Sequence, residues 1–164
     1  MNSEILEKIK TWFDEYITTH IPEKMLSNQM IQIKLEHSRH VADNCSTIAE
    51  ELKWDEREIL TAEALGLLHD IGRFSQFVEY RTFSDSDSVN HGELGCKVVK
   101  HSKILSSISV RHRQCILDGI RHHNHRNLVQ DVNPDSMPFL KLIRDADKLD
   151  IFRVVGKEGL YLYP

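Results

Sequence analysis

The chain has 164 residues, 40% of them hydrophobic and 28% charged, which suits one globular domain over residues 1–164 with a buried core. Its formal net charge of -4 does not favour binding to a nucleic-acid polymer. Its apolar runs are too short to span a bilayer. We therefore expect no nucleic-acid and no membrane partner, and the sequence leaves the oligomeric state open.

Hydrophobic periodicity predicts helices in nearly every patterned segment, and no segment alternates as a strand would. The first three helices are predicted over residues 3–20, about 30–52 and about 55–70. Asp55 is the predicted N-cap of the third helix, and Gly72 is placed just past its end.

Residues 74–89 are polar, include Ser84-Asp85-Ser86-Asp87-Ser88, and are not predicted to form a clear helix. Asn90 and Glu93 then match a capping box that begins a fourth helix. A fifth helix is predicted over about 109–124, and a sixth over about 138–151 with a proline in its first turn.

The three cysteines are widely spaced, and no two of them form a Cys-x-x-Cys pair. We predict reduced thiols on helices rather than disulfides or zinc ligands, and hence a cytoplasmic protein. These cysteines are Cys45, Cys96 and Cys115.

Adjacent His69 and Asp70 end an apolar helical run, where packing alone requires neither an imidazole nor a carboxylate. Burying both without a cation would be costly, which indicates a metal site. Other candidate ligands occupy inward positions of their predicted helices. The full candidate set is His37, His69, Asp70, His91, His123 and Asp147.

Taken singly, a histidine on an apolar stripe is more often a hydrogen-bonded core residue than a ligand. In the pair His122-His123, the second shares a helical face with Ile116 and Ile120, which favours it as the ligand. Four further histidines are predicted to lie at the surface: His40, His101, His112 and His125.

The order His … His-Asp … His … His … Asp, over about residues 34–150, resembles the HD-domain superfamily of metal-dependent phosphohydrolases. The resemblance implies an all-α, PDEase-like helical bundle with an interior metal site. Imidazoles and carboxylates suit one or two divalent transition-metal ions, namely Fe, Mn, Co, Ni or Zn.

The resemblance also implies a role for each candidate ligand. A first metal would be held by His37, His69, Asp70 and Asp147. A second would be held by His91 and His123, with Asp70 bridging the two and acting as a catalytic residue. A water between the ions would be activated to attack phosphorus.

Arg73 follows the His-Asp pair at a position where many relatives have lysine. We predict that it takes part in catalysis by holding a substrate phosphate in a bidentate contact. The alternative is an exposed arginine favoured by the helix dipole. Lys148 and Arg81 are weaker candidates for substrate binding.

The sequence therefore predicts a metal-dependent phosphohydrolase that acts on a small phosphate ester or nucleotide. The chain has no Gly-Tyr-Pro after His123, so cyclic di-GMP hydrolysis is not supported. It also lacks the long insertion or basic arm expected of the large (p)ppGpp or dNTP hydrolases. Because the chain ends abruptly after apolar residues, we expect that the natural protein can continue past Pro164.

Two alternatives share the ligand pattern. A di-iron oxygenase of the superfamily, similar to myo-inositol oxygenase, would use the same six ligands to activate dioxygen. A non-catalytic HD module that binds a nucleotide is the other alternative. The ligand pattern does not separate these three functions.

Overall fold

The computed structural model describes residues 1–158, and all of the regular secondary structure in that range is helical. This confirms the predicted all-α fold class. The helices are α1 (Ser3–His20), α2 (Glu23–Leu26), α3 (Gln29–Glu51), α4 (Glu56–Leu68), α5 (Ile71–Tyr80), α6 (His91–Ser102), α7 (Val110–His122) and α8 (Met137–Glu158). The last six residues of the chain, which include most of the apolar end discussed above, lie outside the described residues.

The helices pack in a bundle around α3, which contacts both α4 and α8. Helix α7 packs against α4, α6 and α8, while α5 packs against α6 and α1 against α4. None of the helices within residues 1–158 is long and apolar enough to cross a membrane. The largest fully buried side chains are Phe13, Phe74, Phe139, Ile9, Ile31, Leu65, Leu68, Ile71, Ile116, Ile120, Leu140 and Ile143.

Side-chain caps define where several helices begin. Asp55 accepts a hydrogen bond from the amide of Glu58 at 2.9 Å, as predicted. Asn90 accepts one from the amide of Glu93 at 3.0 Å, which confirms half of the predicted capping box. The Glu93 carboxylate lies 3.1 Å from Nε of Arg121 and so pairs with α7.

The third predicted helix, about residues 55–70, corresponds to α4 and ends two residues earlier than predicted. Helix α4 ends at Leu68, and Asp70 has φ −100° and ψ 13°, outside the helical range. Gly72 lies past the end of α4, as predicted, but a new helix, α5, begins at Ile71 and includes it. The break places His69 and Asp70 at a junction between two helices.

Gly72 is required by close packing rather than by helix termination. A Cβ atom there would lie 2.2 Å from the carbonyl oxygen of His91 and 2.6 Å from the amide nitrogen of Gly95. Similarly, a Cβ on Gly66 would lie 2.7 Å from the carbonyl oxygen of Val41. These two glycines let α5 approach α6, and α4 approach α3, closely enough to bring the ligand-bearing segments together.

The prediction that residues 74–89 form no clear helix is wrong for the first half of that stretch. Helix α5 continues to Tyr80 because Phe74 and Phe77 are buried one turn apart on the same side as Ile71. Arg81, at φ 61°, ends the helix in a left-handed conformation. The polar loop is therefore residues 81–90.

Two further expectations need correction. Helix α8 runs to Glu158 rather than to about residue 151. His112, predicted at the surface, is only 9% exposed because it lines a cavity with Met1 and Ile5 at the N-terminal end of α1. Burial and the positive charge of the N-terminus lower the pKa of His112.

The remaining surface histidines and the cysteines match expectation. His101 and His125 are exposed, and His40 is half-buried. All three cysteines are free and buried on α3, α6 and α7, as expected for reduced thiols on helices.

Candidate metal centre

The six candidate ligands come from five places in the bundle. His37 lies on α3, the pair His69-Asp70 at the α4–α5 junction, and His91 at the first residue of α6. His123 follows the last residue of α7, and the sixth ligand, Asp147, lies on α8. All are buried except Asp147, whose side chain is 20% exposed.

One group of ligand atoms, which we name the inner subsite, surrounds Oδ2 of Asp70. Nε2 of His37 and Nε2 of His69 each lie 3.7 Å from that oxygen. Oδ1 of Asp147 lies 3.1 Å from Nε2 of His37 and 3.7 Å from Nε2 of His69.

A second group, which we name the outer subsite, surrounds Oδ1 of Asp70. Nε2 of His91 lies 3.2 Å from this oxygen, and Nε2 of His123 lies 3.4 Å from it. The two Nε2 atoms are 3.1 Å apart. Asp70 therefore faces both groups, and His123 rather than His122 belongs to the outer one.

The four histidines share one orientation, in which Nδ1 points away from the subsites and Nε2 into them. In each ring Nδ1 lies beside an acceptor, so it carries the proton and donates it. The acceptors are a carboxylate oxygen of Asp150 for His37 (2.7 Å), the Gly66 carbonyl for His69 (2.7 Å), the Asp85 carboxylate for His91 (2.8 Å) and the Ile120 carbonyl for His123 (2.8 Å).

This orientation leaves a lone pair on each Nε2 atom, facing carboxylate oxygens that are themselves acceptors. Within the described residues, Nε2 of His37 and Nε2 of His69 are buried without a hydrogen-bond partner. Buried polar atoms are seldom left unsatisfied, and a divalent cation would satisfy all of them at once. The residues present therefore fit a metal ion in each group.

Burial and Lys34 lower the pKa of His37, but the surrounding carboxylates outweigh them and raise it, so a metal would compete with a proton there. The protonation states of three other ligands suit metal binding. Burial raises the pKa of Asp70, but Lys34 and the neighbouring histidines outweigh it and hold that pKa well below its usual range. Burial also raises the pKa of Asp147, but the adjacent imidazoles of His37 and His69 outweigh it and keep that pKa low. Burial lowers the pKa of His123 to about 4. Near neutral pH the carboxylates are ionised and His123 is neutral, the forms that bind metals.

Three residues at the site were missed from the sequence. The ammonium Nζ of Lys34 donates to Oδ2 of Asp70 at 2.8 Å, and Lys34 is only 7% exposed. Asp85 and Asp150 accept from His91 and His37. The one available signal was helical spacing, because Lys34 lies one turn before His37 and Asp150 one turn after Asp147. Asp85 lies in a polar loop, where no periodicity distinguishes it from Asp87.

Arg73 lies beside the bridging carboxylate. Its Nη1 donates to Oδ1 of Asp85 at 2.9 Å, to Oε1 of Gln76 at 3.1 Å and to the carbonyl of Phe83. Its Nε lies 3.7 Å from Oδ1 of Asp70 and is buried without a hydrogen bond in the described part of the chain.

The two weaker cation candidates lie elsewhere. Arg81 is exposed and contacts the sulfur of Met25 on α2. Lys148 is exposed on α8. Among residues 1–158, no hydrogen bond or ion pair joins either side chain to the six candidate ligands.

Comparison with protein families agrees with this geometry. A family model described as "HD domain" matches residues 35–151, which include all six candidate ligands. The chain belongs to the HD-domain family. Members of this family are typically metal-dependent hydrolases that bind divalent ions. A comparison with solved structures found no significant match.

Proposed function

We propose that this HD-domain protein is a metal-dependent phosphohydrolase that acts on a small phosphate ester or nucleotide in the cytoplasm. The observation that carries the proposal is the convergence of four Nε2 lone pairs on the two oxygens of Asp70, with the Lys34 ammonium against the same carboxylate. The histidines and carboxylates supply the ligands, and the ammonium favours a negatively charged substrate.

The charge balance of the site supports an anionic substrate. Asp70 and Asp147 contribute two negative charges, while the nearby carboxylates Asp85 and Asp150 are each paired with an arginine. Because Lys34 adds a positive charge, one divalent ion already leaves the site positive, and a second ion makes it more so. A phosphate group would be attracted to such a site.

When bound, a divalent ion supplies the charge that activates a water and neutralises the negative charge that develops on the phosphoryl group. The protein contributes orientation and further charge. Asp70 holds the two subsites in a fixed relation, and Lys34 fixes the Asp70 carboxylate. The Nε–H group of Arg73 could donate to a phosphate oxygen, since it makes no hydrogen bond within the described residues.

The test is anaerobic purification with metal analysis, followed by parallel assays of phosphate release and oxygen consumption on a panel of phosphate esters and nucleotides. We expect metal-dependent phosphate release that a chelator abolishes. Asp70→Ala should lose metal and activity together, because this residue faces both subsites. Asp145→Ala, an exposed aspartate on α8, is the matched control and should retain both.

Two results would contradict the proposal. Oxygen consumption without phosphate release would identify the di-iron oxygenase alternative. Nucleotide binding with neither reaction, in protein that holds its full metal complement, would identify the non-catalytic module. If Asp70→Ala kept its full metal content, the assignment of the ligands would be wrong.

A further inference from the structure

The two subsites are supported in the same way by residues behind the histidines. In each subsite one ring donates Nδ1–H to a backbone carbonyl, and the other donates it to a carboxylate. His37 of the inner subsite donates to Asp150, and His91 of the outer subsite donates to Asp85. A carboxylate behind a ligating histidine fixes the ring and raises its basicity more than a carbonyl does.

Asp85 makes more contacts than orientation of one ring requires. Both of its oxygens lie 2.8 Å from Nδ1 of His91. The same carboxylate accepts from Nη1 of Arg73 at 2.9 Å, from Nε2 of Gln76 at 3.0 Å and from Nδ2 of Asn124 at 3.0 Å. It therefore joins α5, the first residue of α6 and the segment after α7 through one side chain of the 81–90 loop.

We propose that Asp85 is a positioning residue of the outer subsite, which fixes His91 as a ligand and holds Arg73 beside Asp70 with the same carboxylate. This inference rests on the metal site of the proposed function. One loop residue would then fix both the outer-subsite ligand His91 and the arginine that contacts the phosphate. The position of Arg73 relative to the metal would thus depend on a single carboxylate.

Asp150 has the matching position behind the inner subsite. It accepts from Nδ1 of His37 at 2.7 Å and from Nε of Arg153 at 2.5 Å. Each subsite thus has its own His–Asp–Arg chain, and within residues 1–158 no side chain hydrogen-bonds to both Asp85 and Asp150. Loss of one carboxylate should therefore lower the metal affinity of its own subsite and leave that of the other subsite unchanged.

In the experiment, the metal-free full chain is titrated with Co²⁺ in a calorimeter. The number of bound ions is then measured separately by metal analysis after dialysis at a fixed free Co²⁺ concentration. Asp85→Asn keeps the size of the side chain but removes its charge. We expect the wild-type protein to bind two ions. In Asp85→Asn, the affinity of the outer subsite for its ion should be about 10- to 100-fold lower, while the affinity of the inner subsite stays unchanged.

Three variants show whether the effect is specific. Asp87→Asn makes the same change in the same loop at an exposed side chain without a hydrogen bond or ion pair in the described residues, and should bind both ions as the wild type does. Asp150→Asn should instead lower the affinity of the inner subsite for its ion. Asp85→Glu restores the charge and should recover part of the lost affinity.

Wild-type affinity for both ions in Asp85→Asn would overturn the inference, as would equal weakening of both ions. A wild-type protein that binds one ion would also overturn it, because the outer subsite would then hold no metal, yet hydrolysis at the inner subsite would remain possible. Conversely, selective loss of the second ion in a protein that releases no phosphate would support the inference and contradict the proposed function.

Discussion

Both oxygens of the Asp70 carboxylate are used, since Oδ1 faces the outer histidines and Oδ2 faces the inner ones. Oδ2 also accepts from the ammonium of Lys34, which is buried with it. A bound metal ion would therefore stabilise the same buried negative charge as the ammonium does. When one of them is removed, the contribution of the other to stability should increase.

Lys34→Met should make folding depend on metal. Without the ammonium, the buried Asp70 carboxylate loses its hydrogen-bonded cation and keeps only Arg73 at 3.7 Å, and breaking a buried pair of this kind costs about 3–5 kcal/mol. A bound ion supplies the missing charge, so the Tm should fall sharply in chelator and much less with metal present. Thermal unfolding with and without metal measures this difference, and Lys24→Met, at an exposed lysine of α2, is the control. Equal losses of Tm in both conditions would mean that Lys34 acts by packing alone.

Arg73→Ala should lower kcat/KM for a phosphate ester by roughly tenfold to a hundredfold, since a charge-assisted hydrogen bond contributes about 1.5–3 kcal/mol. Metal content should not change, because the hydrogen bond from His91 to Asp85 does not involve Arg73. Arg73→Lys should recover part of the loss, because charge returns without the guanidinium geometry. Steady-state kinetics with metal analysis checks both.

Parallel measurements on Arg81→Ala and Lys148→Ala test the weaker predictions for substrate binding. A larger loss of kcat/KM in either variant than in Arg73→Ala would move the phosphate contact away from the α5 arginine.

At the scale of the elements, the short break between α4 and α5 decides the shape of the site. It directs His69 to the inner subsite and lets Asp70 face both subsites. Helix α5 can follow so closely on α4 because Gly72 has no side chain, which lets the backbone of α6 pack directly against it.

Gly72→Ala should therefore destabilise the fold and disturb the outer subsite. The added Cβ meets backbone atoms of His91 and Gly95, which cannot rotate away, and overpacking of this kind costs about 1–3 kcal/mol. Gly156→Ala on α8 meets nothing within 4 Å and should instead stabilise by about 0.5–1 kcal/mol through helix propensity. Denaturant unfolding of the two variants measures the contrast. Unchanged stability in Gly72→Ala would mean that α5 and α6 can separate without cost.

Hydrophobic periodicity predicted most helices because their inward stripes are long and regular, as in α1 and α3. It placed the end of α4 near Asp70, but it did not predict that a new helix begins directly afterwards at Ile71. It also understated α5, whose stripe is only three residues long and whose Gln76 is buried by hydrogen bonds to the loop.

The candidate ligands could be proposed from the sequence because the adjacent His69-Asp70 pair and the family-like order of histidines and aspartates stand out. Lys34 and Asp85 did not stand out, because their importance depends on the tertiary contacts that bring them to Asp70 and His91. His112 shows the same limit, as its burial depends on the distant N-terminus of the chain.

At the scale of the whole molecule, the candidate ligands connect α3, the α4–α5 junction, α6, α7 and α8, whereas α1 and α2 contribute none. A metal ion should therefore stabilise the connected helices directly. At a free metal concentration of about 100 times Kd, the gain in free energy of unfolding is about 2.7 kcal/mol.

Removal of metal by a chelator should raise hydrogen exchange unevenly. We expect the largest increases in amides near the ligands on α6 and α7, and small ones in α1, because local opening does not require the whole fold to unfold. Hydrogen-exchange mass spectrometry with and without metal checks this pattern. A uniform increase over the described helices, α1 included, would indicate that metal acts only through global stability.

The order of the ligands along the chain also sets the order in which they appear during translation. Asp70, His91 and His123 are all synthesised before α8 begins. At that point Asp147 of the inner subsite has not yet been synthesised. Asp150, the hydrogen-bond partner of His37, is also missing, because it lies 113 positions further along the chain. A growing chain thus has every side chain of the outer subsite before the last one of the inner subsite. If both subsites bind an ion, the ligand set of the inner subsite would be the later of the two to be complete as the chain is synthesised.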